Sequence, residues 1–218
     1  MGYVMGVDEA GRGPVLGPMV VCGVAVTLDC MAEIESMGLK DSKKLSPKKR
    51  EEFALKIKEI CRYELLVIDP WQIDARVGGE ETLNTLEVEC FGSVIKKVRP
   101  EKVYLDACDV NAGRFGINVR NCLDFDLEII SSHKADSKYP IVSAASIVAK
   151  VHRDEAVSRI SQTLGQDVGS GYPTDPVTID FLKEYYKKYK KMPEFVRKSC
   201  KTTLNVIGDC MQSRLTEY

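Results

Sequence analysis

The sequence predicts a mixed α/β sheet flanked by helices, and three observations predict it. Two runs rich in β-branched residues, Tyr3–Val7 and Met19–Thr27, open the chain with a short glycine-rich turn between them. So small a separation favours an antiparallel pair. Later apolar runs at Tyr63–Ile68, Lys102–Leu105 and Asp126–Ile130 are interspersed with stretches of helical period. The length, 218 residues, suffices for one sizeable core and a small appendage. Strands first and helices between later strands give one sheet covered by helices.

The elements follow in order. Ser46-Pro47 reads as a helix start, with Ser at the cap and Pro in the first turn. Phe53, Leu55, Ile57 and Ile60 give that helix an apolar side as far as Arg62. Glu80–Val98 is a second helix, with Leu83, Leu86, Val88, Phe91, Val94 and Ile95 broadly at helical spacing. Asn111–Leu123 fits neither helix nor strand clearly. Tyr139–Leu164 carries a long helix, and its small residues Ser143–Ser146 imply that something packs closely against it. Gly165–Pro173 is a glycine-rich loop. The remainder is mostly helical and opens on a basic region, with eight Lys or Arg against two Glu between Phe181 and Lys201. Residues 1–175 are expected to form the main domain, and 176–218 a C-terminal helical cap that is not independent.

Composition narrows the class. With 44% apolar and 29% charged residues, the chain is an ordinary globular protein without low-complexity sequence. A net charge of −1 argues against holding nucleic acid by global charge and leaves local charge to do so. The eight cysteines show no C-x-x-C or similar zinc spacing and read as reduced packing residues. The chain enters a strand almost at once, leaving no room for a signal peptide, and no apolar run reaches the length of a membrane span. A cytoplasmic protein without a membrane partner is expected.

The segment richest in chemistry is Asp8-Glu9-Ala10-Gly11-Arg12-Gly13-Pro14. Two adjacent acids at a strand end repel one another unless a cation holds them, and Mg²⁺ takes hard oxygen ligands of this kind. The turn adds close backbone approach at Gly11 and Gly13 and a cation at Arg12. Asp106 ends a second predicted strand, and Asp136 precedes the long helix. Carboxyl ends of strands are where open α/β sheets place their sites. Glu9 needs a departure from regular pleating to join them, because successive strand side chains face opposite ways. Four carboxylates together suit two divalent ions, ~4 Å apart, clamping an in-line phosphoryl displacement. Lys43 beside Lys44, and Ser146 one helical turn from Lys150, suit phosphate contacts. Tyr172, in the Gly/Pro loop Gly169–Asp175, can offer its ring to a sugar or base.

These motifs resemble the type 2 ribonucleases H (ribonuclease HII). Gly6–Pro14 with Gly17-Pro18, the loop Asp41–Leu45, Asp106, Lys134-Ala135-Asp136, Val142–Val151 with Arg153-Asp154, and Gly169–Asp175 stand in that family's order. Length and C-terminal helices look most like archaeal single-chain members. The resemblance implies a ribonuclease H-like fold in which residues 1–175 form the catalytic domain. It implies an endonuclease that cuts the RNA strand of RNA–DNA hybrids and the 5′ side of a ribonucleotide embedded in duplex DNA, leaving 3′-hydroxyl and 5′-phosphate ends. It assigns Asp8, Glu9, Asp106 and Asp136 to two Mg²⁺ or Mn²⁺ ions and to catalysis. Gly11, Arg12 and Gly13 then meet the ribonucleotide, Tyr172 the neighbouring deoxyribose, and Lys43, Ser146 and Lys150 phosphates. One departure is Cys200 after Arg197-Lys198-Ser199, where many archaeal relatives carry tryptophan. The expected protein is a monomer, and no clear sliding-clamp motif appears at Thr216-Glu217-Tyr218. The alternatives are a resolvase-like two-metal nuclease on the same fold and a non-catalytic hybrid-binding module.

Overall fold

Residues 3–27 form the hairpin that centres the sheet. Strand β1, Tyr3–Ala10, pairs antiparallel with β2, Met19–Thr27, in unbroken register from Tyr3↔Thr27 to Ala10↔Val20. A 3-10 turn at Leu28–Cys30 leads into α1 (Met31–Ser36), followed by α2 (Pro47–Ile60), β3 (Arg62–Ile68), α3 (Pro70–Asp74) and α4 (Leu83–Val98). Then come β4 (Lys102–Asp106), α5 (Ala112–Asn121), β5 (Glu128–Ser132), α6 (Ala135–Lys138), α7 (Pro140–Leu164), α8 (Pro176–Tyr189) and α9 (Lys201–Leu215). The computed structural model describes residues 2–39, 45–76 and 82–215.

The sheet runs β3-β2-β1-β4-β5, with β4 parallel to both β1 and β5. It is the mixed sheet the sequence predicts. Capping follows the chemistry expected of helix starts: Ser46 accepts from Lys49 N with Pro47 at the first position, and Asn111 accepts from Arg114 N. That second cap opens α5, so most of the stretch left undecided by the sequence is the helix Ala112–Asn121.

Several boundaries differ from expectation. β1 continues three residues beyond Val7, because its ladder with β2 does, so Asp8 and Glu9 lie inside the strand. β5 sits two residues later than Asp126–Ile130, since pairing with β4 sets its register from Lys102↔Glu128 to Asp106↔Ser132. α2 ends at Ile60, and α4 starts at Leu83 behind a Thr82 cap. Asp136 lies on the short α6, entered through Lys134 in the left-handed region (φ 54°).

Internal contacts divide the chain into two units. Unit 1 comprises Met1–Ala10, Val20–Val67 and Thr82–His152; unit 2 comprises Gly11–Met19, Ile68–Glu81 and Arg153–Tyr218. In unit 1, alternate residues of β2 (Val20, Cys22, Val24, Val26) pack with Ala54 and Ile57 of α2 and with Val142, Ala145 and Ala149 of α7. This is the two-residue period meeting the helical one. The other face of β2 is buried as well: at Gly23, Met5 and Val94 of α4 occupy the space of a side chain. In unit 2, Leu16, Val157, Val168, Phe181, Leu182 and Val196 form a separate core.

All eight cysteines are free thiols, four of them buried. Among the described residues no helix is long and apolar enough to cross a membrane.

Candidate metal centre and substrate loops

Parallel pairing brings two of the expected acids together. Val7 of β1 stands opposite Leu105 of β4, so the next residues, Asp8 and Asp106, emerge side by side. Asp136 comes from α6, tied to them by the Ala135 N–H, which donates to Asp106 Oδ1 at 3.0 Å. Carboxylate oxygens of Asp8, Asp106 and Asp136 all lie within 4.8 Å of one another. Asp8 and Asp136 are each only 4% exposed.

Such crowding has an electrostatic consequence. Burial, then the charges of Glu9 and Asp106, push the Asp8 carboxyl well above its usual 3.8. The Ser146 hydroxyl and the Glu9 N–H, the latter 2.8 Å from Oδ1, bond to Asp8 and pull the other way. Ser146 is thus placed against an acid of the trio. Lys150, four residues on along α7, is half-buried. Lys43 lies outside the described residues.

Glu9 is placed differently. The register stays regular through Glu9↔Val21, and the Glu9 carboxylate lies outside the group of three, though near enough for its charge to raise Asp8. Its Oε2 instead accepts the Cys108 thiol at 3.1 Å, in a second group with Glu87 of α4. Burial and these carboxylates drive the Cys108 thiol upward, keeping it a protonated donor. Neither Cys108 nor Glu87 is singled out by any motif in the sequence.

In unit 2, the turn after β1 is held from one side by a buried arginine. Arg197, 3% exposed, donates to the carbonyls of Arg12 (2.9 Å), Gly11 and Gly17 (3.1 Å from Nη2). Its own N–H donates to Val15 O, and its carbonyl accepts from Thr203. Burial and the like charge of Arg153 lower its guanidinium to about 10, still a cation at neutral pH. Arg197 therefore leaves the basic surface in which the sequence counts it; Lys187, Lys188, Lys190 and Lys191 are exposed. The segment also docks on α3, where Asp74 accepts from Lys198 N, Ser199 N and Ser199 Oγ.

The Tyr172 loop is closely hydrogen-bonded. Asp175 accepts from Ser170 N and Val177 N, while Thr178 Oγ1 donates to Val168 O and accepts from Gly171 N. Arg153, 2% exposed, donates to Ser170 O at 2.6 Å and lies over the Tyr172 ring, 4.9 Å from its centroid. One ring face is thereby set by a buried cation.

The aspartate trio fits a divalent cation. Its donors are hard oxygens, and the repulsion that raises Asp8 is what a cation relieves. Mg²⁺ and Mn²⁺ share this ligand set.

Comparison with known proteins gives one consistent result. The family model described as Ribonuclease HII matches residues 5–203. A ribonuclease HII of Methanocella arvoryzae is 62% identical, over 99% of this chain and 96% of its own. The crystal structure of ribonuclease H2 from Pyrococcus horikoshii superposes with a TM-score of 0.89 at 40% identity, covering 96% of this chain and 99% of that one. The ribonuclease HII in a PCNA complex from Archaeoglobus fulgidus gives 0.85 at 41%, covering 93% and 96%.

Proposed function

The chain belongs to the ribonuclease HII family and is a metal-dependent endoribonuclease that cleaves the RNA strand of RNA–DNA hybrids, and we propose that it also cuts on the 5′ side of single ribonucleotides in duplex DNA. The observation that carries the site assignment is the convergence of Asp8 of β1, Asp106 at the end of β4 and Asp136 of α6 on one point. These three, with Glu9, would hold two Mg²⁺ or Mn²⁺ ions and act as the catalytic acids. Divalent ions held there would supply Lewis-acid polarisation of the scissile phosphate, activation of a water as nucleophile and charge stabilisation at the leaving oxygen. The residues do the rest. The Ala135 N–H and Ser146 orient Asp106 and Asp8. Cys108 holds Glu9.

Gly11, Arg12 and Gly13 would meet the 2′-hydroxyl, the group that separates RNA from DNA at one position. Tyr172 would lie against the next deoxyribose, where a ribose is crowded. Lys43, Ser146 and Lys150 would approach phosphates, and the exposed lysines after Tyr186 the duplex. A non-catalytic binding module has no use for three crowded aspartates, two of them buried. A resolvase-like nuclease leaves the glycine turn and the Tyr172 loop without a task.

The Archaeoglobus fulgidus neighbour was solved as a PCNA complex, which supports a sliding clamp as a partner here. Thr216-Glu217-Tyr218 lies outside the described residues. We place the enzyme in the cytoplasm, as a monomer; the eight free thiols support a reducing compartment.

The test is cleavage of an end-labelled duplex holding one ribonucleotide, with Mg²⁺ or chelator. One cut 5′ to the ribonucleotide is expected, with 3′-hydroxyl and 5′-phosphate ends. Asp106→Asn should bind this duplex and lose about 10²–10³-fold in rate. Cutting in chelator, a cut elsewhere, or normal turnover by Asp106→Asn would overturn the reading.

A further inference from the structure

We propose that Arg197 is the positioning residue of ribonucleotide recognition: its buried guanidinium fixes the Gly11–Gly13 turn so that two backbone donors face the substrate. This rests on the reading that the turn meets the 2′-hydroxyl.

The geometry carries it. Nη1 and Nη2 draw the carbonyls of Arg12 and Gly11 to one point, and Nη2 and Nε add that of Gly17. The chain has no cis peptide bond among its described residues. In a planar trans peptide the N–H points opposite to the carbonyl of the same unit. With the Gly11 and Arg12 carbonyls turned to Arg197, the N–H groups of Arg12 and Gly13 point away from it. Two successive donors aimed outward suit one small oxygen acceptor. At Gly13 a Cβ would meet nothing within 4 Å, so the space beside the second donor is open.

The cost of the arrangement argues for a task. A buried cation satisfied by carbonyls is expensive compared with an apolar side chain of similar volume. A second buried cation, Arg153, adds like charge. Filling the core alone would be served by leucine or methionine. Holding three carbonyls from one point needs a planar fork of donors, which lysine lacks.

The experiment measures binding with Ca²⁺ in place of Mg²⁺, so that the duplex stays uncut. Wild type and Arg197→Lys are titrated with two duplexes differing only by one ribonucleotide or deoxyribonucleotide. Wild type should prefer the ribonucleotide. Arg197→Lys should lose about tenfold of that preference, with affinity for the all-DNA duplex within about threefold of wild type. A merely structural role would weaken both duplexes alike and leave the ratio standing, which would overturn the proposal. Circular dichroism checks folding. Should Arg197→Lys not fold, Arg197→Gln, which keeps an amide donor, is held to the same ratio. A wild type without preference would overturn the 2′-hydroxyl reading itself. A wild type with preference that the variants retain would overturn only the role of Arg197.

Discussion

Gly11 and Gly13 stand two residues apart in one turn and are glycine for different reasons. Gly11 has φ +90°, and a Cβ there would sit 2.6 Å from the Pro18 carbonyl. Gly13 lies outside the left-handed region, and its Cβ would meet nothing within 4 Å. The fold demands the first glycine and not the second. Gly11→Ala should cost about 1–3 kcal/mol in urea unfolding. Gly13→Ala should leave stability within about 0.5 kcal/mol of wild type while cleavage at a single ribonucleotide falls at least about tenfold. Full activity in Gly13→Ala would show that the substrate does not come close to this turn.

At the scale of elements, the decisive contact is β1 against α7. A Cβ at Gly6 would sit 2.4 Å from the Ile141 carbonyl oxygen and 2.6 Å from Val142 N, so helix backbone rests directly on strand backbone. This approach sets α7, and with it Ser146, against Asp8. Gly6→Ala should cost about 1–3 kcal/mol or more and lower activity in proportion to the displaced helix, read by thermal unfolding and cleavage together. The small residues at 143–146 announce such packing in the sequence; the closest point lies just ahead of them, at Ile141. Periodicity and capping residues made the strands and long helices legible, because those signals are local. The face of Glu9 was not legible, since it depends on how far the β1–β2 ladder runs. Nor was Arg197, whose neighbours in sequence are those of a basic surface and whose partners are 180 or more residues away. The two-residue shift of β5 was set by β4, another non-local partner.

For the whole molecule, a net charge of −1 conceals concentrations of buried charge. In unit 1 three aspartates share one point; in unit 2 Arg153 and Arg197 are both buried. The aspartate cluster links stability to pH and to metal. Asp8, with its folded pKa raised above 3.8, binds its proton more tightly folded than unfolded. Its favourable contribution is full below about pH 3.8 and is lost as pH rises through the higher folded value. Above that range the charge of the buried Asp8 is a cost to the metal-free protein, and a divalent cation removes it. Saturating Mg²⁺ adds about 2.7 kcal/mol at a hundredfold excess over Kd. Asp8→Asn keeps an acceptor for the Glu9 N–H and removes the charge. The direct measurement is the unfolding temperature of wild type and Asp8→Asn at pH 8, in chelator and in Mg²⁺. In chelator the variant should unfold at the higher temperature, and Mg²⁺ should raise wild type clearly more than the variant. A variant less stable than wild type in chelator, or an equal Mg²⁺ shift in both, would contradict a metal centre built on these aspartates.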